Sequence, residues 1–321
     1  MEPSAHLDPL EAGARASWPG LARRAGLVAD AHDVRAMRVR RVAGQGRAVL
    51  AVDGPGGALV LKHAPDETEG WFIARIEAQA AAAAALRDVP GHGAAGIVAV
   101  DARRRAVLMR RAPGGALHDA IEAAPDAAMR LALLESAARW AGMLHRSGPL
   151  AFGRHRPAAL LRRIDGFAAE AAARGVADPA AYRVMLDRAR SAVEAERGRK
   201  IVSGPLHGDL NLRNLILGPD GDVCGIDFDA VGTGPAAADL ARLLVKFETL
   251  FWQGSGGPEA LGGRILAAHG GRWRDGTTLD GHVAFELARL WRTIPADPMR
   301  RGILHARRWK GIRRMAEALR G

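Results

Sequence analysis

Three polar side chains in one short stretch define the chemistry open to this chain. His207-Gly208-Asp209-Leu210-Asn211-Leu212-Arg213-Asn214 is followed by Ile226-Asp227-Phe228-Asp229. A carboxylate, an amide five residues later and a second carboxylate eighteen residues after the first match what phosphoryl transfer from ATP needs at one end of a cleft. It needs a group to orient an attacking hydroxyl and two oxygen ligands for Mg2+. Asp209 would accept the hydrogen bond of the acceptor hydroxyl and aim it at the γ-phosphorus. Asn214 offers a neutral oxygen to the metal and Asp227 a charged one. Asp229 suits a further ligand or a cap on the next helix. His207 is expected to pack beneath the loop rather than to act as base or ligand.

The other end of the cleft should lie upstream. Lys62 stands in the apolar run Ala58-Leu59-Val60-Leu61-Lys62-His63, and the chain has only three other lysines, Lys200, Lys246 and Lys310. An ammonium buried without a partner is costly, so an acid should meet it. Glu77, the only acid after Glu69 on the following alanine-rich segment, is the expected partner. Such a pair would steer Lys62 toward ATP phosphates. The plainer alternative is a lysine reaching solvent at a sheet edge and a surface glutamate.

The elements that must position these groups can be read from the pattern. Residues 1–33 form an Ala-, Arg- and Pro-rich extension of one or two short helices. Val34–Val42, Arg47–Val52 and Ala58–His63 read as a three-stranded meander, with Asp53-Gly54-Pro55-Gly56-Gly57 as a turn. A helix over 69–87 follows, then strands at Ile97–Val100 and Ala106–Met109. Beyond Pro113-Gly114-Gly115 the chain reads as helices at 116–123, 126–146, 157–173 and 179–197. Met129, Leu133, Leu134, Ala137, Trp140, Ala141 and Leu144 recur at helical spacing in the second of these. Two short strands, Leu215–Leu217 and Val223–Ile226, flank the motif region, and helices return at 236–252, 258–269, 279–294 and 299–320. The expected organisation is an α+β fold of two lobes: an N-lobe at 34–111, with five antiparallel strands and one helix, and a larger helical C-lobe at 112–321.

Composition narrows the classes. The formal charge is +11 and the pI about 11.1, but the excess is almost all arginine, which arginine- and alanine-rich codon usage supplies without selection for binding. No DNA- or RNA-reading motif accompanies it, so nucleic acid is not expected as a partner. No apolar run is long enough to span a membrane. The single cysteine, Cys224, excludes an internal disulfide, and with no signal-peptide pattern at the start the expected compartment is the cytoplasm.

The set His207-Gly208-Asp209-x4-Asn214, Ile226-Asp227 and Asp239-Leu240-Ala241 resembles the aminoglycoside phosphotransferase and choline-kinase-like family, relatives of the protein kinases, over residues 34–320. The resemblance implies a protein-kinase-like bilobal fold that uses ATP and Mg2+. It implies Asp209 as catalytic aspartate, Asn214 and Asp227 as magnesium ligands, Lys62 as phosphate-binding lysine, Glu77 as its partner, and Asp239 as the aspartate that buttresses the catalytic loop. Val107–Gly115 resembles the last strand and hinge, where the Arg110 carbonyl and the Ala112 N–H would hold adenine; Pro113 has no N–H to offer. Gly114 to Asp209 spans 95 residues and Asp227 to Asp239 only 12. Both lengths are similar to those of the small-molecule kinases and unlike those of protein kinases. Gly44-Gln45-Gly46 sits where a nucleotide-covering loop belongs, with fewer glycines than protein kinases use. Asp227-Phe228-Asp229 lacks their following glycine.

The acceptor is expected to be a small molecule. Residues 251–321 hold thirteen Lys and Arg against six Asp and Glu, which argues for a neutral or anionic acceptor such as a sugar over a polycationic aminoglycoside. Kinase action on a lipopolysaccharide or lipid-linked sugar or on a protein, and a non-catalytic nucleotide-binding module, are the alternatives. Trp252, Trp273 and Trp291 are candidates for the acceptor pocket or for the core. The last helix, with Ile303, Trp309, Ile312, Met315 and Leu319 on one face and Arg301, Arg308, Arg313 and Arg314 around it, is expected to dock on the C-lobe. Contact with an anionic membrane surface is its second possibility.

Overall fold

Alternating apolar residues and a Gly-containing turn build the first sheet. Strands β1 (Asp33–Val42), β2 (Gln45–Gly54) and β3 (Gly57–His63) pair antiparallel in sequence. β3 then pairs with β6 (Ala106–Arg110), and β6 with β5 (Ile97–Asp101), giving the order β1-β2-β3-β6-β5. The computed structural model describes residues 7–42, 45–55, 57–230, 232–251, 257–270 and 278–319. They divide into two compact units, one formed by Met1–Gly114 with Gly218–Ala230, the other by Gly115–Leu217 with Val231–Gly321.

In the first unit, each face of the sheet is covered by a helix. α1 (Pro9–Arg24), one continuous helix capped by Asp8, lays Leu10, Ala14, Trp18 and Leu21 against Leu50, Val52, Leu59, Leu61 and Leu108. Burying aliphatic side chains of this size is worth about 1.5–3 kcal/mol each, so α1 is part of the core and not an appendage. α2 (Glu69–Ala85), capped by the Thr68 hydroxyl, covers the other face with Phe72 against Val107 and Met109. The short strand β4 (His92–Ala94) pairs in parallel with β11 (Val223–Gly225). That pairing, continued by the bond from the Ala95 N–H to the Gly225 carbonyl at 3.0 Å, carries Asp227 into the first unit.

The second unit is mainly helical. α3 (Leu117–Ala123), α4 (Ala127–Arg146), α5 (Ala158–Arg174), α6 (Pro179–Ala195), α7 (Ala237–Leu250), α8 (Gly257–His269), α9 (Leu279–Trp291) and α10 (Ile303–Ala318) surround a core that includes Trp140, Tyr182, Phe247, Phe285 and Trp291. Trp291 is therefore a core residue: its indole N–H donates to the Ala177 carbonyl at 2.7 Å. Trp252 and Trp273 lie outside the described residues. β7 (Gly115–Ala116) pairs with β10 (Leu215–Leu217), and β8 (Ala151–Arg154), β9 (Lys200–Pro205) and β12 (Thr233–Pro235) form a three-stranded sheet. α10 buries Ile312 and Met315, with Gly311 packed on the Thr249 backbone, while Ile303 at its start is exposed. No helix among the described residues is long and apolar enough to cross a membrane.

Candidate active site

In the first unit, β3 projects Lys62 so that its Nζ donates to Asp227 Oδ1. Asp227 sits just past β11 with φ +61°, a left-handed conformation that non-glycine residues adopt at a cost and that concentrates at functional positions. Arg75 of α2 stands behind it: Nη2 is 4.0 Å from Asp227 Oδ1, and Nε donates to the Phe228 carbonyl at 3.2 Å. Glu67 fixes that guanidinium at 2.6 Å and Arg47 at 2.7 Å. Burial alone would raise the Asp227 carboxyl, but Lys62, with Arg47 and Arg75 beyond it, holds it far below the usual carboxylate range. Asp227 is thus an anion at any physiological pH.

The expected Lys62–Glu77 pair does not form. Glu77 is exposed on α2, and the face of that helix turned to the pocket beside Lys62 carries Phe72, Arg75, Ile76 and Gln79. One residue on an α-helix is a 100° turn, and alanine on all sides of α2 left its phase unmarked. The acid that meets Lys62 is the distant Asp227.

Arg110 ends β6, and its N–H donates to the Gly96 carbonyl at 2.8 Å. The Arg111 N–H donates to the Ala58 carbonyl at 3.0 Å, whereas the Ala112 N–H has no partner among the described residues. Ala112 keeps a free donor just past the strand. Gly44 lies outside the described residues. Gly46 is packed so closely that a Cβ would collide with Leu10 and crowd Asp66, and its N–H donates to Asp66 Oδ2 at 2.5 Å. Asp229 accepts from the Ala230 N–H at 2.9 Å, a local turn and not a helix cap.

In the second unit, the loop between β9 and β10 presents Asp209, whose side chain is 49% exposed. Asn214 Nδ2 donates to the Asp209 carbonyl at 3.0 Å and to its Oδ2 at 3.2 Å; Asn211 Nδ2 does the same at 3.1 and 3.3 Å. Arg242 of α7 donates to the Gly208 carbonyl and, at 3.3 Å, to Asp209 Oδ1. With its amide nitrogen tied to Asp209, Asn214 keeps Oδ1 for a cation. Each unit thus offers one oxygen of the kind a hard cation takes, Asp227 in the first and Asn214 in the second.

Asp239, at the start of α7, anchors the loop from below. Its Oδ2 accepts from the His207 N–H at 2.7 Å and its Oδ1 from the Gly208 N–H at 3.1 Å. Gly208 has φ +79°, which turns two successive amides onto one carboxylate. Burial would raise the Asp239 carboxyl, but His145, at 3.1 Å, and His207 pull it below its ordinary value. His145 is in turn held by His269 at 3.0 Å, which burial, aided by His145 and Arg146, pushes down to about 3, so His269 is neutral. His207 is fully buried and packs edge-on against Trp140, with ring centroids 5.9 Å apart.

Arg242 and its partner Glu286 escaped the sequence reading. Arg242 Nη2 donates to Glu286 Oε1 at 3.2 Å, and Arg289 Nε donates to Glu286 Oε2 at 2.6 Å. The available signal was spacing: Asp239, Arg242 and Lys246 fall at i, i+3 and i+7, one stripe of α7. Among the described residues, His118, Asp119 and Glu122 also bring donor atoms within 4.8 Å of one another. Arg213 and Arg307 already engage that group, at 3.5 Å from Asp119 and 2.8 Å from Glu122, so it is an ion-pair network.

The β unit with its lysine–aspartate pair and the helical unit with its aspartate–asparagine loop are those of a kinase-like phosphotransferase. A family model described as the phosphotransferase enzyme family matches residues 38–279, and the chain belongs to that family. No curated protein matches by sequence. Among solved structures, an aminoglycoside phosphotransferase from Streptomyces rimosus in complex with ADP and streptomycin is 21% identical, with 77% of this chain and 92% of that one covered and a TM-score of 0.50. A choline kinase from Cryptosporidium parvum is 11% identical over 97% and 95% of the two chains, TM-score 0.55. A macrolide 2'-phosphotransferase from Brachybacterium faecium is 15% identical over 86% and 87%, TM-score 0.51. These likenesses show the fold: a five-stranded antiparallel sheet unit and a larger helical unit.

Proposed function

We propose that this phosphotransferase moves the γ-phosphate of ATP, taken as its magnesium complex, to a hydroxyl of a small neutral or anionic molecule in the cytoplasm. The observation that carries the reading is the presentation of Asp209. It is an exposed carboxylate on a loop pinned by Asp239, with one oxygen braced by Arg242 and the other by Asn211 and Asn214.

Asp209 accepts a hydrogen bond from the acceptor hydroxyl and takes its proton as the oxygen bonds to the γ-phosphorus. The bond from that phosphorus to the β–γ bridging oxygen breaks, and ADP leaves. Lys62 would bind the phosphates directly, and Asp227 in the first unit and Asn214 in the second would each offer an oxygen ligand to magnesium. When bound, that ion neutralises charge on the phosphate oxygens. The Ala112 N–H and the Arg110 carbonyl are the backbone groups offered to adenine. Catalysis is then positioning and electrostatic stabilisation, with no covalent enzyme intermediate.

The test is ADP release from Mg·ATP across a panel of sugars, amino alcohols and aminoglycosides, with the product identified by 31P NMR as a phosphate monoester. A neutral or anionic alcohol should give the highest kcat/KM. Efficient turnover of kanamycin-type compounds would refute the acceptor class, and no monoester with any alcohol would refute the reaction.

A further inference from the structure

Taking Asp209 as the residue that receives the acceptor hydroxyl, and so resting on the phosphotransferase reading, we infer that the acceptor carries an oxyanion, a phosphate or carboxylate group, held by Lys246 and Arg308 beside Arg289. The geometry around Asp209 leaves cations without anions. Arg242 and Arg289 converge on Glu286, whose side chain is only 5% exposed, and Arg242 also braces Asp209. Both acids at this place are therefore already engaged.

Lys246 follows Arg242 by four residues and projects from the same face of α7. It is half-buried, yet its ammonium makes no hydrogen bond or ion pair among the described residues. Arg308 of α10 is also half-buried, with its Nε shielded from solvent and unpartnered. Burial, with repulsion from Arg308 and Arg289, pushes the Lys246 ammonium down to about 8, against the opposing pull of Asp209 and Glu286. Burial likewise lowers Arg308, helped by Arg213. Arg242, Arg289, Lys246 and Arg308, with Arg163 also drawn to Glu286, thus outnumber the two acids, Asp209 and Glu286.

Side chains that only filled space would not need this charge, since a desolvated cation without a counter-ion is unfavourable. An oxyanion on the acceptor supplies the missing charge and aligns the hydroxyl with Asp209. A polycationic acceptor would meet Lys246, Arg289 and Arg308 as like charges.

The test is calorimetric titration of the full chain, saturated with Mg·AMP-PNP, with inorganic phosphate and with sulfate as probes. Both should bind wild type, and K246Q and R308Q should each weaken them about tenfold, the loss of one charge-assisted hydrogen bond. K246R should restore most of the affinity, and thermal melts check that each variant folds. Sulfate, whose charge is constant near neutrality, should bind less tightly as pH rises through about 8. Equal probe affinity in wild type and both variants, or no probe binding to the nucleotide-loaded protein, would overturn the oxyanion site while leaving the phosphotransferase reading intact. Failure of Mg·AMP-PNP itself to bind would overturn both.

Discussion

Lys62 and Lys246 are two of only four lysines in the chain, and each lies within an apolar run, yet their surroundings differ. Lys62, on a strand of the β unit, has a protein acid in contact, Asp227. Lys246, on a helix of the second unit, has none among the described residues. The first cation is balanced by the fold and, in the proposed function, also meets the ATP phosphates. The second is left open, and its balance must come from outside. The other two lysines, Lys200 and Lys310, are exposed at the surface.

The comparison breaks most visibly if the two lysines respond alike to removal. Lys62→Met strands the Asp227 carboxylate and should destabilise the fold by about 1–3 kcal/mol at neutral pH, read by urea unfolding. The sign follows from Asp227: its folded pKa is depressed, so the pair stabilises above the unfolded value of an aspartate and fails only in strong acid. Wild type and variant should converge as pH falls, and a variant as stable as wild type at pH 7 would contradict the pairing.

Lys246→Met should act in the opposite direction, stabilising by about 1 kcal/mol at pH 7. The folded pKa of Lys246 is lowered to about 8, so its contribution to stability is present above the unfolded value near 10.5 and lost as pH falls through 8. The gain of the variant should therefore shrink as pH is raised from 7 to 10. A destabilised K246M would mean that the lysine has a partner in the folded protein.

Glu196 extends the test to a structural acid. It accepts from the Gly281 N–H at 2.8 Å, and burial pushes its carboxyl up to about 7. A raised folded pKa means stability present below about 4.5 and lost as pH rises through 7. Glu196→Gln should thus be the more stable form at pH 8 by roughly 1 kcal/mol and match wild type as pH falls below about 4.5. Identical pH profiles of melting would refute it. The smallest effect belongs to Glu77→Ala, expected within about 0.5 kcal/mol of wild type and without change in the KM for ATP. A KM raised tenfold would reinstate Glu77 as partner of Lys62.

The strands of the first sheet were legible because period-2 alternation and Gly-rich turns agree, and Asp209, Asn214, Asp227 and Asp239 because their spacing follows from one loop and two short strands. Helix phase was legible in α4, where Leu134, Ala137, Trp140, Ala141 and Leu144 are buried as their spacing predicts although Met129 is exposed, but not in α2. In α2, alanine occupies every side, and nothing local says that Arg75 and not Glu77 turns inward. Strands of two to six residues, β4, β7, β8, β9 and β12, carry too little periodicity to see, and the parallel β4–β11 pairing joins residues far apart in sequence. The docking of α1 was hidden because alanine and arginine outnumber the four residues, Leu10, Ala14, Trp18 and Leu21, that do the packing. Lys246 was visible by the same scarcity that singled out Lys62, but its meaning depends on the absence of a partner, which only coordinates reveal.

The most direct measurement uses water as the simplest acceptor hydroxyl. ADP release from Mg·ATP by wild type should be slow, magnesium-dependent and reduced about a hundredfold or more in both D209N and D227N, while D209N still binds Mg·AMP-PNP. Equal ADP release by wild type and the two variants would show that neither carboxylate serves phosphoryl transfer.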